Sequence, residues 1–395
     1  MSRKNLKGLD QQELQSFVES VGEKKYRASQ LFSWMYGKGA SSFDEMTDIS
    51  KEFRSLLTRT AALQNLELIK KSISPTDGTT KFLFGLHDGL RIESVLIPAE
   101  ESDRPGELAT AGGDSPAADK RLTLCISTQV GCPLDCKFCA TGTMGFSRNL
   151  TAGEIVDQVI QAQRSIDRRI TNLVYMGMGE PMLNYDNVMK SVEIVTDDRS
   201  LNLGARRVTI STAGYPHRIR QMADENRRVK LALSLHSLDN EVRTKLMPIT
   251  KKQSVAELLE ALEYYYRKTR RRPTFEYILF EGMNDSEEDI RRLVRASKRV
   301  PCKVNIIPFH SIAFTGSTGL AVSLKAAPRE RIEAFADALR RANITVMVRS
   351  SAGKDIEAAC GQLAVLEEQA RANQNVVETS EHRGSRKRRP VVAAP

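Results

Sequence analysis

Three cysteines, Cys132, Cys136 and Cys139, stand in the run Cys-Pro-Leu-Asp-Cys-Lys-Phe-Cys, with gaps of three and two residues. This spacing can turn three thiolates toward one small volume. No further cysteine or histidine follows at the spacing of a zinc finger. A structural zinc site is closed by four protein ligands, whereas three thiolates suit a 4Fe–4S cluster with one iron left open to a small molecule. A zinc site completed by a distant histidine such as His236 or His310 is the alternative, and it would make the chain a zinc-stabilised binding module without catalysis. Further along, Met176-Gly-Met-Gly179-Glu180-Pro181 offers glycines that let backbone approach a ligand and a carboxylate that can accept from an ammonium group. Ser211, and then Ser234-Leu235-His236, place polar groups where a ligand could lie across the end of a sheet. Taken singly, each is also what a helix cap or a satisfied internal partner looks like.

The elements that must position these residues are legible in hydrophobic periodicity. From about residue 9 to 63 the apolar residues recur at helical spacing, with Asp10 and Ser50 as N-caps and Gly22, Gly37 and Gly39 as breaks. The period then changes to two over 68–74, 79–86 and 90–97, with Asp88-Gly89 as a hairpin turn. Residues 99–120 are rich in Glu, Asp, Gly, Pro and Ala without periodicity and read as a disordered acidic insertion. Beyond it, strands near 122–127, 172–176, 207–211, 230–235, 275–280, 303–307 and 344–348 alternate with helices over 151–166, 185–195, 216–226, 254–268, 286–299 and 328–342, and a further helix is predicted over 356–370. Such alternation implies a parallel sheet, either a partial (β/α) barrel or an open doubly wound sheet. In both, ligands sit at the carboxyl ends of the strands, where the cysteine triplet and the polar strand ends fall.

The expected organisation is therefore a helical domain over 1–65, a β-hairpin extension over 66–98, the insertion over 99–120, a catalytic domain over 121–371 and a basic disordered tail over 372–395. Six cysteines in a chain without a signal-peptide-like start or an apolar run of membrane-span length point to a cytoplasmic protein using thiols for metal or redox chemistry. Lys and Arg number 59 against 49 Asp and Glu, a net charge of +10, of which residues 381–390 carry +4. The excess left on the body favours a polyanionic partner such as RNA.

The triplet, with Phe138 beside its last cysteine, resembles the signature of the radical S-adenosylmethionine (SAM) superfamily. Cys139-Ala-Thr-Gly-Thr-Met-Gly-Phe146, Arg148-Asn-Leu-Thr151, Gly177-Met-Gly-Glu-Pro181, Ser234-Leu-His236, Lys245-Leu-Met-Pro248 and Ala359-Cys-Gly-Gln-Leu363, together with Phe43-Asp-Glu-Met-Thr-Asp48 near the N-terminus, are more closely similar to the RlmN family. That resemblance implies a partial (β/α)6 barrel and methylation of adenine carbon 2 in 23S rRNA and tRNA. It implies one 4Fe–4S cluster on Cys132, Cys136 and Cys139, and two SAM molecules per turnover. By the same resemblance Cys360 carries the methyl group, Cys125 resolves the intermediate and Glu93 accepts the carbon-2 proton. Gly179, Glu180, Ser211, Ser234, Leu235, His236 and His310 would contact SAM, although relatives commonly carry asparagine at the position of His310. Cys302 matches no such role and reads as core. A flavodoxin-type electron donor, a monomeric state and no membrane association complete the expectation. The nearest enzyme rival is the Cfr-like group, which methylates adenine carbon 8 with the same cysteine logic.

Overall fold

A computed structural model describes residues 3–99 and 121–365. All but the first residue of the predicted insertion, the predicted basic tail and residues 366–370 of the predicted last helix lie outside these bounds. The N-terminal helices span Gln11–Ser20, Tyr26–Phe32 and Lys51–Thr60. Asp10 starts the first through a capping box: its carboxylate accepts from the backbone of Glu13, whose side chain accepts from the Asp10 N–H. Ser50 caps the third helix by accepting from Phe53. Leu14, Phe17, Val18, Leu31, Phe32, Phe53 and Leu57 bury the shared face. Strands β1 (Lys4–Asn5) and β2 (Ala61–Ala62) pair in parallel and bring the two ends of this domain together.

The domain is fastened to the rest of the chain by a buried ion pair. Lys7 Nζ lies 2.7 Å from Asp157 Oδ1, and the two side chains are 1% and 0% exposed. The other Asp157 oxygen accepts from the Leu66 N–H at 2.6 Å. Removing one partner of such a pair strands a buried charge, so Lys7→Met is expected to cost roughly 3–5 kcal/mol of stability in chemical denaturation. A variant as stable as wild type would contradict this role.

Among the described residues the main sheet has ten strands. β3 (Glu67–Ile73), β4 (Thr80–Gly85) and β5 (Arg91–Pro98) form an antiparallel meander, and β5 pairs antiparallel with β6 (Leu122–Cys125), so the predicted β extension continues the catalytic sheet. A separate hairpin, β7 (Gln129–Gly131) with β8 (Phe146–Asn149), follows. The parallel part continues through β9 (Asn172–Tyr175), β10 (Val208–Thr212), β11 (Lys230–Ser234), β12 (Thr274–Leu279), β13 (Lys303–Pro308) and β14 (Thr345–Val348). The order is β14-β13-β12-β11-β10-β9-β6-β5-β4-β3, each parallel strand beside its predecessor in the chain. Capping boxes at Thr151, Ser254 and Ser286 start three of the covering helices.

The sheet curls. β14 and β6 are six strand spacings apart, roughly 29 Å if the sheet were flat. Yet Met347 of β14 and Arg349 just beyond it line the same cavity as Thr123 and Cys125 of β6, and Met347 pairs with the inward-facing Asn305 of β13. Alternate residues of a strand share a face, and here that face is the inside of a partial barrel.

The helix predicted over 356–370 does not form within the described residues. Lys354–Ile356 is a single 3-10 turn, and Glu357 (φ 53°) and Gly361 (φ 83°) have left-handed backbone that no α-helix contains. The segment's polar groups find tertiary partners instead: Gly361 O accepts from Ala140 N–H at 2.7 Å and Leu363 O from Thr141 Oγ1 at 2.6 Å.

Candidate active site

The cysteine triplet sits in the loop of the β7–β8 hairpin. Cys132 N–H donates to Gly145 O at 2.7 Å, and Gly131 has φ 73°. A Cβ at Gly131 would stand 1.9 Å from the Gly145 oxygen, so only glycine permits the closure that launches Cys132 into the loop. Asp135 turns the chain with φ 52°, and Cys139 N–H donates to Cys136 O at 3.1 Å. The three partly exposed thiols line one cavity of about 150 Å³.

The opposite wall is built from strand ends. After β9, Gly179 (φ 98°) packs where a Cβ would lie 2.5 Å from Gln129 Cβ, and Gln129 Oε1 accepts from Glu180 N–H at 2.8 Å. Glu180 is buried, and its carboxylate accepts from Met182 N–H at 2.9 Å and Ala213 N–H at 2.7 Å. Burial nevertheless raises its pKa to about 6. Ser211 and Ser234, at the ends of β10 and β11, have their Oγ atoms 3.4 Å apart. His236 accepts from Ile278 N–H through Nδ1 at 3.0 Å, and its ring meets Phe138 edge-on with centroids 4.6 Å apart. Burial, then the Arg243 guanidinium, lowers its pKa to about 3. The imidazole is therefore neutral and carries its proton on Nε2.

Cys360 reaches this cavity too, from the irregular segment after β14. It also lines a second cavity of about 460 Å³, whose wall includes Cys125, Met176, Arg349, Arg121 and Arg340. That volume falls in the range of roughly 300–1,000 Å³ typical of small-molecule sites. Burial, then the neighbouring Cys360, raises the Cys125 thiol to about 12, while Arg349 draws it down. Cys360 is exposed to the cavities, yet desolvation by the surrounding protein raises its thiol, and the adjacent Arg349 guanidinium opposes this by charge and by a hydrogen bond. Two cavities thus meet at Cys360.

Residues 4–63 match the ribosomal RNA large subunit methyltransferase N-terminal domain, and residues 126–294 match the radical SAM superfamily. A probable dual-specificity RNA methyltransferase RlmN of Salinibacter ruber is 43% identical over 368 residues, spanning 92% of this chain and 94% of its own length. One from a Thermotoga species is 45% identical over 91% of this chain and 97% of its own. The chain belongs to the RlmN family. The crystal structure of a radical SAM methyltransferase from Sphaerobacter thermophilus superposes with a TM-score of 0.79 at 38% identity, covering 91% of this chain and 99% of that one.

Membership in the RlmN family, within the radical SAM superfamily, implies a 4Fe–4S cluster and SAM, and the residues present fit both. Among the described residues no group of three or more His, Cys, Asp or Glu side chains is placed to hold a single metal ion. The three thiols instead stand around a void, the arrangement a polynuclear cluster needs. Burial and the neighbouring thiols raise the Cys132 and Cys136 pKa values well above the ordinary range, a cost that bound iron would reverse. Glu180, with both oxygens on backbone N–H groups, can still accept from the ammonium of a bound SAM.

Of the residues singled out by sequence, the structure brings Cys132, Cys136, Cys139, Gly179, Glu180, Ser211, Ser234, His236 and Cys360 to one cavity. Leu235 is buried and does not line that cavity; its N–H donates to Glu276 O and its carbonyl accepts from Arg243. His310, buried just after β13, is not among the residues lining that cavity. Glu93 shares a face of β5 with Val95 and Ile97, which line the larger cavity. Its own carboxylate faces a separate cleft, 3.3 Å from Lys81 Nζ and accepting from Ala364 N–H at 3.1 Å. Burial raises its pKa against the pull of Lys81. Cys302 is core. Sequence reasoning missed Arg349 and Glu276, which line the smaller cavity, and Arg243 behind it. Arg349 keeps the family pattern but borders residues 350–354, which depart from it, and neither Glu276 nor Arg243 belongs to a short motif.

Proposed function

We infer that this chain methylates carbon 2 of an adenine in 23S rRNA and in tRNA, using Cys360 as methyl carrier and Cys125 as resolving thiol. The observation that supports this most is the position of Cys360, shared between the cavity of the cysteine triplet and the cavity of Cys125. When bound on Cys132, Cys136 and Cys139, the cluster would supply the electron that cleaves SAM to a 5′-deoxyadenosyl radical. The Cys360 thiolate, favoured by Arg349, attacks the methyl carbon of a first SAM, and S-adenosylhomocysteine leaves. The 5′-deoxyadenosyl radical from a second SAM takes a hydrogen atom from that methyl group, leaving as 5′-deoxyadenosine, and the methylene radical on Cys360 adds to carbon 2. One electron leaves the adduct together with the carbon-2 proton, balancing the electron spent on cleaving SAM. The adenine, presented unpaired or flipped, occupies the larger cavity, where Arg121 and Arg340 favour the flanking phosphates. Glu93 takes the carbon-2 proton once the segment holding Ala364 shifts and frees its carboxylate. The Cys125 thiolate then attacks the sulfur of Cys360, forming a disulfide as the sulfur–carbon bond breaks, and the released carbon takes up a proton to give methylated RNA.

The two thiols are ordered by charge. Each thiolate opposes ionisation of the other, so Cys125 ionises more readily after Cys360 has become a neutral thioether. Arg349, beside both, then serves Cys125. The rest of the reading follows the family: a flavodoxin-type electron donor, a monomer and a cytoplasmic setting. Among the described residues no helix is long and apolar enough to cross a membrane.

Anaerobically reconstituted protein incubated with each RNA, followed by mass spectrometry of the digested nucleosides, tests the assignment. 2-Methyladenosine from both is the expected product; 8-methyladenosine alone would assign the chain to the Cfr-like chemistry instead.

Glu180 makes SAM binding dependent on pH. Its folded pKa of about 6 lies above the ordinary value of 4.5. The ligand-free protein therefore favours the protonated form and loses about 2 kcal/mol as pH rises from about 4.5 through 6. SAM's ammonium requires the ionised carboxylate, so affinity should fall about tenfold between pH 7 and pH 5. Glu180→Gln should weaken binding and remove that dependence. Equilibrium dialysis of the reconstituted protein checks both, and a pH-independent wild-type affinity would contradict the contact.

A further inference from the structure

The Arg243 side chain is fully buried. Nε donates to Leu235 O at 3.0 Å and Nη1 to Thr250 Oγ1 at 2.7 Å. Nη2 donates to Ala213 O at 2.5 Å and Ser234 O at 3.1 Å. All four acceptors are neutral, and among the described residues no carboxylate forms an ion pair with this guanidinium, although buried charges are ordinarily paired. Burial lowers its pKa to about 10, and the acidic group that opposes the shift is the Cys136 thiol. The backbone shows why the two are close. Asp239 caps the helix Asn240–Leu246, and Leu246 O at its end accepts from Lys137 N–H at 2.9 Å, docking the helix on the loop between Cys136 and Cys139.

We propose that Arg243 is the fixed countercharge of the cluster held by the cysteine triplet, and that it raises the cluster's reduction potential. This rests on the cluster reading of the triplet. A cubane core with two positive charges on three thiolates is a net anion, and uptake of one electron from an external low-potential donor deepens that charge without breaking a bond. A cation locked beside it stabilises the reduced form more than the oxidised one, and net charge and hydrogen bonding are what tune such potentials. Four bonds to strand-end carbonyls and Thr250 hold the guanidinium behind the wall of the cavity, so it acts through its field. It is a positioning residue for charge.

Redox titration of full-length, anaerobically reconstituted protein without SAM, followed by electron paramagnetic resonance of the reduced cluster, tests this. At the wild-type midpoint, Arg243→Met should hold a reduced-to-oxidised ratio at least tenfold lower, equivalent to about 59 mV for one electron. Arg243→Lys, which keeps the charge, should stay near wild type. Thr250→Asp keeps the arginine but neutralises it in place, and should shift the potential in the same direction; it decides the matter if Arg243→Met does not hold a cluster. Loaded Arg243→Met or Thr250→Asp protein with the wild-type potential would overturn the proposal, as would Arg243→Lys shifting as far as Arg243→Met. Wild-type protein that takes up no iron and sulfide would instead overturn the cluster reading beneath it.

Discussion

Replacing Cys125 with alanine is expected to leave the RNA covalently joined to the protein. Cys125 and Cys360 line one cavity, and Cys125 ends β6 with its side chain inside the barrel. Without the resolving thiol, Cys360 can still take a methyl group and become bonded to the base, but nothing breaks the bond between its sulfur and the transferred carbon. Released methylated RNA should fall roughly 100-fold or more, while labelled RNA on a denaturing gel migrates with the protein at up to one RNA per chain. The alanine itself costs little, since it removes one sulfur from a wall that already faces a cavity. Free methylated RNA at wild-type yield would remove Cys125 from the mechanism.

Cys360→Ala should separate cleavage of SAM from transfer of its methyl group. The cysteine triplet, Glu180 and the serines at the ends of β10 and β11 remain in place, so reductant should still convert SAM to 5′-deoxyadenosine. RNA methylation should fall by at least about 10³-fold, because carbon 2 of adenine is a poor nucleophile toward an electrophilic methyl group and the carrier is gone. Intact-mass measurement adds a second readout. Wild-type protein should gain one methyl group on the peptide containing Cys360, and the variant should gain none. Retained methyl transfer would place the carrier elsewhere.

Much of this site is legible in the sequence because its parts are local. The spacing of the triplet, the glycines beside Glu180 and the alternation of strands with helices each lie within a short window. The hairpin that holds the triplet is not legible, since β7 and β8 are three and four residues long and too short for alternation to register. The segment after Gly353 misleads for a different reason. Ile356, Ala359, Leu363 and Ala364 recur at near-helical spacing, but they are apolar because the segment packs against the barrel. Three of its hydrogen bonds run to Ala140, Thr141 and Glu93, partners more than 200 residues away in the chain. Distance also hides what Glu93 faces, since Ala364, whose N–H its carboxylate accepts from, lies 271 residues away. Arg243 lies outside the motifs and helices legible in the sequence, and burial alone gives it meaning.

The central claim is that Cys360 joins two chemistries, accepting a methyl group on one side and passing its carbon to RNA on the other. Tandem mass spectrometry of the nuclease- and protease-digested adduct from Cys125→Ala protein tests it most directly. The expected result is a peptide in which Cys360 sulfur is linked through a single one-carbon bridge to carbon 2 of adenine. An adduct on another residue, or RNA attached without that added carbon, would contradict it.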